Sequence, residues 1–489
     1  MPQIINTNMA SLNSQRHLNS TQSALARAME RLSSGKRINS AKDDAAGLGI
    51  SERMTSQIMG MNQAIRNARD GISLGQTAEG ALSTMNSMLQ RVRVLAVQAS
   101  NATNSPADRQ ALQDEVGQLV SELNRIAEVT TFNGQHLLNG TMGTQYFQVG
   151  PNAAEVIGAN GTNFMTTTYG NYRVEGDGFP TQLAGTAKTG STAKITGYLG
   201  SADLTVTTSD SARTVAEKIN LLSGDTGVNA TAKTTAHINS MLPDTTYAFE
   251  LSSNNAEPVI VSFAIGADTT LGDSYAAAVN SINAQTAKTG VSAEYYVAPD
   301  GAGNSFHGIR LINQNGNDIV MTPTLTSVPA ASLSAFKADG NLNGGFSVPA
   351  GGARAFGTVT IDSPNSFVVT EATSAEYPVG GTGALMSVST LDVSTFEKAQ
   401  KSLVIVDSAL VHIVGEMARY GALQARFEST ISNLEVTAEN TTNSRSRIQD
   451  ADYAQETAAL SRASILQQAG TSMLAQANQI PQTVLGLLQ

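Results

Sequence analysis

The chain has 489 residues, 41% of them hydrophobic and 14% charged, with 43 Gly and neither Cys nor Trp. That length predicts roughly three domains and enough apolar material for more than one core. The missing cysteines exclude a disulfide framework, a thiolate metal site and a cysteine nucleophile. A formal charge of -10, from 30 Lys+Arg against 40 Asp+Glu, is the wrong sign for nucleic acid or an anionic lipid surface.

The opening MPQIINTNMASLNSQRHLN has no basic cluster ahead of an apolar core and no small-residue cleavage site, so a secretory signal is not expected. No run approaches the ~18 apolar residues of a membrane span, and insertion in a membrane is not expected either. Ile5, Met9 and Leu12 form one apolar stripe at helical spacing. Further on, Ile58, Met61, Ile65, Ala68 and Ile72 and then Leu82, Met85, Leu89, Val92 and Ala96 predict a long helix, loosened between the two runs at Gly71, Gly75 and Gly80. Leu112, Val116, Leu119, Leu123 and Ile126 form a heptad seam whose helix starts at Asn104, Ser105 and Pro106, with Asp108 in its first turn.

Composition shifts near residues 175 and 390. Between Gly176 and Thr390 there are 9 Lys+Arg and 17 Asp+Glu, a net -8, which leaves -2 for the two ends together. This middle is strand-like, as in LTVTT at 204–208, PVIVSFAI at 258–265 and GTVTIDS at 357–363, with turn pairs such as Asn315-Gly316. Ile219, Asn220, Thr226, Gly227 and Val228 recur 63 positions later as Ile282, Asn283, Thr289, Gly290 and Val291. Each copy has a strand-like run, a short helical run (SARTVAEKINLL or SYAAAVNSINAQ) and another possible strand, so the repeat predicts two similar α+β units.

From Phe396 through Ala399, Leu403, Val406, Leu410, Ile413, Met417, Tyr420, Gln424, Phe427 and Ile431 to Leu434, gaps of 3 and 4 alternate, and only Gln424 is polar. This predicts a helix with an apolar face about 58 Å long. Such a face must be buried to be stable, and the matching helices lie at the other end of the chain. The fold class expected is therefore a coiled-coil, all-α helical-bundle core formed by both termini, with inserted α+β, β-rich outer domains.

The extreme ends are a different case. Ile465, Met473, Ile480, Val484, Leu487 and Leu488 supply apolar groups near the C-terminus, but neither end carries enough large side chains for a compact core. Helices of that kind are expected to become ordered on association with other copies.

Chemical constellations are missing. His17, His136, His237, His307 and His412 lie far apart, with no HExxH, so neither a metal site nor a zinc peptidase is expected. Asp300-Gly301-Ala302-Gly303-Asn304 lacks the closing Glu of a calcium loop. Gly380-Gly381-Thr382-Gly383 is followed by no GK[ST] and reads as a linker. The chain is read as a non-enzyme without a cofactor.

Particular strings go further. RLSSGKRINSAKDDAAGLGISERM at 31–54, LAVQASNATN at 95–104 and TTFNGQHLLNG at 130–140 resemble the N-terminal region of bacterial flagellins, and residues 444–489 resemble their C-terminal region almost throughout. The stretches around Ile219-Asn220 and Ile282-Asn283 are similar to a repeat of some flagellin outer domains. The resemblance implies a filament subunit divided as follows. Residues 1–44 and 450–489 would be inner-tube helices, and 45–175 and 391–449 the two halves of a helical-bundle inner domain. Residues 176–390 would be variable outer domains, with the two α+β units near 190–235 and 255–325 and a β-rich return segment.

It also implies secretion to the flagellar filament through a type III channel, an export chaperone held by the C-terminal helix, and hook-associated and cap proteins as partners of a helical homopolymer. The inner tube would be built by Ile5, Met9, Leu12, Ile465, Met473, Ile480, Val484, Leu487 and Leu488. LQRVRVLAVQ is similar to the flagellin motif bound by Toll-like receptor 5, which assigns Gln90, Arg91 and Leu95, with Glu115 on the next helix, to receptor binding. Two other readings are a hook-filament junction protein and a filament subunit whose outer domains act as an adhesin.

Overall fold

The computed structural model describes residues 7–183, 190–299, 303–324, 330–338, 340–348, 351–370 and 380–486. In chain order its helices are α1 (Met9–Ser34), α2 (Ala45–Ala99), α3 (Pro106–Val129), α4 (Ala212–Leu221), α5 (Ser223–Thr226), α6 (Ala276–Asn283), α7 (Thr286–Thr289), α8 (Phe396–Gln449) and α9 (Tyr453–Gly486). The terminal helices pack together and the centre of the chain is β-rich. The chain divides into two compact units, one of Met1–Glu79, Met142–Gly161 and Arg419–Gln489, the other of Gly80–Thr141 and Thr162–Ala418.

In the first unit, Met61, Ala64 and Ile65 of α2 bury against Leu434 and Ala438 of α8. One stretch along, Ala68 and Phe427 join Val149 and Ile157, beside the hairpin of Thr144–Gln148 with Val156–Asn160. Phe427 meets Phe147 edge to face, with ring centroids 5.5 Å apart. The glycines of α2 behave differently from the sequence expectation. α2 is one uninterrupted helix of 55 residues. A Cβ on Gly71 would lie 2.6 Å from the Phe427 ring, and one on Gly75 would lie 3.2 Å from Gln424. These two glycines are notches that admit α8 side chains. Gln424, the polar member of the apolar stripe, donates its amide to Glu79 Oε2 at 2.8 Å, so its polar end is satisfied at the seam.

In the second unit, Leu82, Met85, Leu89, Val92 and Ala96 of α2 are fully buried, as are Val116, Leu123 and Ala127 of α3 and Ala399, Val406, Ala409 and Ile413 of α8. α3 starts with a capping box in which Ser105 and Asp108 bond each other's backbone amides, which satisfies donors that the first helical turn leaves open. The β-rich part of this unit has two apolar cores. One surrounds α6, where Ala278 and Ile282 pack with Tyr247, Phe249, Val261, Val291 and Ile309. The other surrounds α4, where Val215 and Ile219 pack with Ile195, Leu204, Val228, Ile361 and Phe367.

One strand, Asn229–Asn239, joins the two cores. Its first half pairs with Thr358–Asp362 and its second half with Ile309–Asn313 and Ser332–Ala335, all antiparallel. A five-stranded sheet runs in the order 259–264, 246–252, 319–323, 353–355, 180–182, and a four-stranded one in the order 381–382, 368–369, 191–196, 201–206.

The repeated residues do the same job in both copies. The Asn220 side chain accepts from Ala230 N at 2.7 Å and donates to Ala230 O at 2.9 Å. Asn283 does so with Ala293 at the same two distances. Gly227 and Gly290 close α5 and α7 at φ 72° and 69°, a left-handed conformation that glycine adopts without strain. Thr226 and Thr289 each accept the amide two residues on. Of the loops set aside in the sequence, residues 300–302 lie outside the described residues, and Gly381-Thr382 forms a short edge strand.

Candidate functional site

The two chain ends form a helical hairpin. Asn8 Nδ2 donates to Ala477 O at 2.8 Å, Arg31 pairs with Glu456 at 3.0 Å, and the backbones of Lys36 and Asp450 form an antiparallel β-bridge. Partner numbers fall on α9 as they rise on α1, so the helices are antiparallel. Gly35 ends α1 with φ 68°. Arg37 then donates to Ile448 O from both Nε and Nη2, while its own amide donates to Gln449 O and the Ala451 amide to Gly35 O. These bonds tie the base of the hairpin. Beside it, backbone amides of Ser40 and Asn39 bond Asp43 and hold its carboxyl below the usual range.

The hairpin seam repeats every 3 and 4 residues. On α1 it consists of Ser11, Ser14, Leu18, Thr21, Leu25, Ala28 and Leu32; on α9 of Glu456, Leu460, Ala463, Gln467, Gly470, Leu474 and Ala477, all buried or half-buried. Its fully buried members are small: Ser11, Ala28, Ala463 and Ala477. Other large apolar groups stand outside the seam. Met9 is 63% exposed, Leu12 47%, Ile465 66% and Met473 63%, and Leu466 is also exposed. The hairpin closes over small side chains and the half-buried Leu18, Leu25, Leu32, Leu460 and Leu474, and leaves Met9, Leu12, Ile465, Leu466 and Met473 in water. Of the remaining residues assigned to the inner tube, Ile480 and Val484 fall on α9, and Ile5, Leu487 and Leu488 lie outside the described residues.

The second candidate surface is on α2 and α3. Arg91 donates from Nε and Nη2 to Glu115 Oε1 at 2.9 and 2.8 Å, and both side chains and Gln90 are exposed. Leu95 requires a correction: it is 1% exposed and packs inside, so it offers no apolar surface. α2 is flanked on one side by α3, through Arg91–Glu115, and on the other by α8, through Arg93–Asp407 at 2.6 Å. Two neighbours widen the buried stripe beyond a two-residue heptad seam. Val94, one turn from Gln90 and Arg91, is exposed there, as is Val97 one turn further on.

Among the described residues, no group of three or more His, Asp or Glu is set to hold a metal. His237 is buried on the joining strand, its Nε2 3.1 Å from Tyr296 O, and burial pulls its pKa from 6.5 to about 4. His307 Nδ1 lies 2.6 Å from the Tyr295 hydroxyl, and His136 Nδ1 2.7 Å from Glu128 O. No described helix is long and apolar enough to cross a membrane.

A helical core shared by both chain ends, with large apolar side chains on its outside and a β-rich insertion between, defines a structural subunit built to pack against other molecules. Residues 5–142 match the bacterial flagellin N-terminal helical region, 403–488 the bacterial flagellin C-terminal helical region, and 194–242 the flagellin hook IN motif. The chain is 39% identical to B-type flagellin of Pseudomonas aeruginosa and 34% identical to flagellin A of Vibrio cholerae, covering 99% of itself and of each relative. Among solved structures, FliC from Burkholderia pseudomallei matches with 19% identity and a TM-score of 0.30, over 73% of this chain and 99% of that one. The chain belongs to the bacterial flagellin family, and it is a filament subunit.

Proposed function

We propose that this subunit polymerises into a filament for swimming by burying the outer faces of α1 and α9 against neighbouring copies. The observation that carries this reading is the set of large apolar side chains, Met9, Leu12, Ile465 and Met473, left exposed on the outer faces of the hairpin. Burying Met9, Leu12, Ile465 and Met473 would contribute about 1.5–3 kcal/mol per side chain, against an association cost of about 4–15 kcal/mol that several neighbours share. A contact that repeats without closing yields a helical tube, in which Ile5, Ile480, Val484, Leu487 and Leu488 would also take part. Before assembly, the exposed α9 face is the surface an export chaperone would cover; at the filament ends, hook-associated and cap proteins would meet it. Salt-triggered growth of the purified monomer tests the proposal. Full-length chain grows long filaments, and a chain lacking 1–44 and 450–489 grows none; filaments from the trimmed chain would refute it. Assemblies that stop short would instead favour a junction protein.

The exposed Gln90, Arg91 and Glu115 support a second role, binding of Toll-like receptor 5, with Val94 as the apolar contact. Arg91→Ala then lowers receptor activation by monomer about tenfold or more, the loss of a charged hydrogen bond, and unchanged potency refutes this role.

A further inference from the structure

The two repeat copies meet inside the chain, and they meet by unlike ends. In each copy the turn of a β-hairpin lies over the glycine that closes α5 or α7. A Cβ on Gly227 would strike the Tyr198 ring, and one on Gly290 the Asn254 side chain. This is the turn end. The opposite end is the segment ahead of the main helix, residues 208–211 before α4 and, 63 positions on, 271–274 before α6.

Within the chain, the turn end of the second copy joins the pre-helix end of the first. The Asn317 side chain donates to Asn254 Oδ1 at 2.7 Å, and the Arg213 amide donates to Gly316 O at 3.1 Å. Ser252 and Ser253 face Thr208, Ser209 and Ser211 across a cavity of about 300 Å³. That junction is polar on both sides. The two ends left over are apolar. On the turn end of the first copy Tyr198 is 50% exposed, Leu199 57%, and Leu221, which ends α4, 84%. On the pre-helix end of the second copy Leu271 is 56% exposed, where the first copy has Thr208. The second copy forms the same unit with Ala284 in place of Leu221 and Asn254 in place of Tyr198, so folding does not require these apolar groups, and their exposure marks a contact surface.

We propose that the β-rich insertions of neighbouring copies of the chain stack by the same unlike ends, with Tyr198, Leu199 and Leu221 of one copy docked on the Leu271 segment of the next. Such a contact is heterologous and continues from copy to copy. Asp225 and Asp273 stand beside the two ends, so salt that screens their repulsion favours the contact. Stacking rests on filament assembly, and growth of wild-type filaments, scored first by electron microscopy, tests that reading by itself; absent filaments would sink it and the stacking with it. The chain has no cysteine, so paired substitutions read the contact by cross-linking. In filaments, Leu221→Cys with Leu271→Cys, treated with a short bis-maleimide, is expected to give a ladder of trimers and longer species, and either substitution alone only background. Adding Tyr198→Asp places a charge in the apolar contact and cuts the ladder about tenfold or more, while filaments still grow on α1 and α9. Wild-type filaments without a ladder from the Cys pair overturn the stacking. So does an equal ladder from Leu221→Cys with Thr208→Cys, the end already occupied within the chain, or strong dimers from Leu221→Cys alone, the mark of an isologous contact.

Discussion

Single residues set how closely the long helices approach. Gly71 lies against Phe427 and Gly80 faces open space, so the same substitution has opposite signs at the two positions. Gly71→Ala forces overpacking that costs about 1–3 kcal/mol, more than the ~1 kcal/mol of helix propensity it gains. Gly80→Ala gains that propensity alone and stabilises. Urea unfolding of the monomer reads both, and stabilisation by Gly71→Ala would show that the notch is slack. His237 sets a pH dependence. Burial lowers its folded pKa to about 4, so between about pH 6.5 and 4 the unfolded chain takes up a proton that the folded chain refuses. Stability is therefore lost as pH falls through that window, by up to roughly 3 kcal/mol. His237→Gln flattens the slope between pH 7 and 5 relative to wild type; an unchanged slope would contradict this role.

At the scale of elements, the repeat gives a paired test. Asn220 and Asn283 clamp equivalent strands with the same two bonds. Replacing either with Ala frees a backbone donor and acceptor, at about 1–3 kcal/mol. The two losses should agree within about 0.5 kcal/mol; a large loss at one and none at the other would mean that the copies share shape without sharing energetics. The repeat was legible because it places the same residues at fixed offsets, whereas the bonds those residues make were not. The joining strand Asn229–Asn239 was not legible, since which halves pair with which partners depends on contacts far apart in sequence. The buried face of α8 was legible from its 3 and 4 spacing, while the burial of Leu95 depends on a second neighbouring helix that no single-helix pattern reports. The α1–α9 seam escaped because six of its fourteen residues are Ser, Thr, Gln, Glu or Gly, whereas the stripe at Met9 and Leu12 belongs to the opposite, exposed side.

For the whole molecule, the account rests on both chain ends folding into a hairpin whose exposed large side chains serve other copies. Methionine oxidation reads this directly, because peroxide converts solvent-exposed thioethers to sulfoxides and spares packed ones. Met9 and Met473 are exposed in the single chain, while Met61 and Met85 are buried there. Mapping sulfoxides by peptide mass in monomer and in filament, at equal peroxide, should give fast oxidation of Met9 and Met473 in monomer, strong protection of both in filament, and slow oxidation of Met61 and Met85 in each state. Equal oxidation of Met9 and Met473 in monomer and filament would contradict the account.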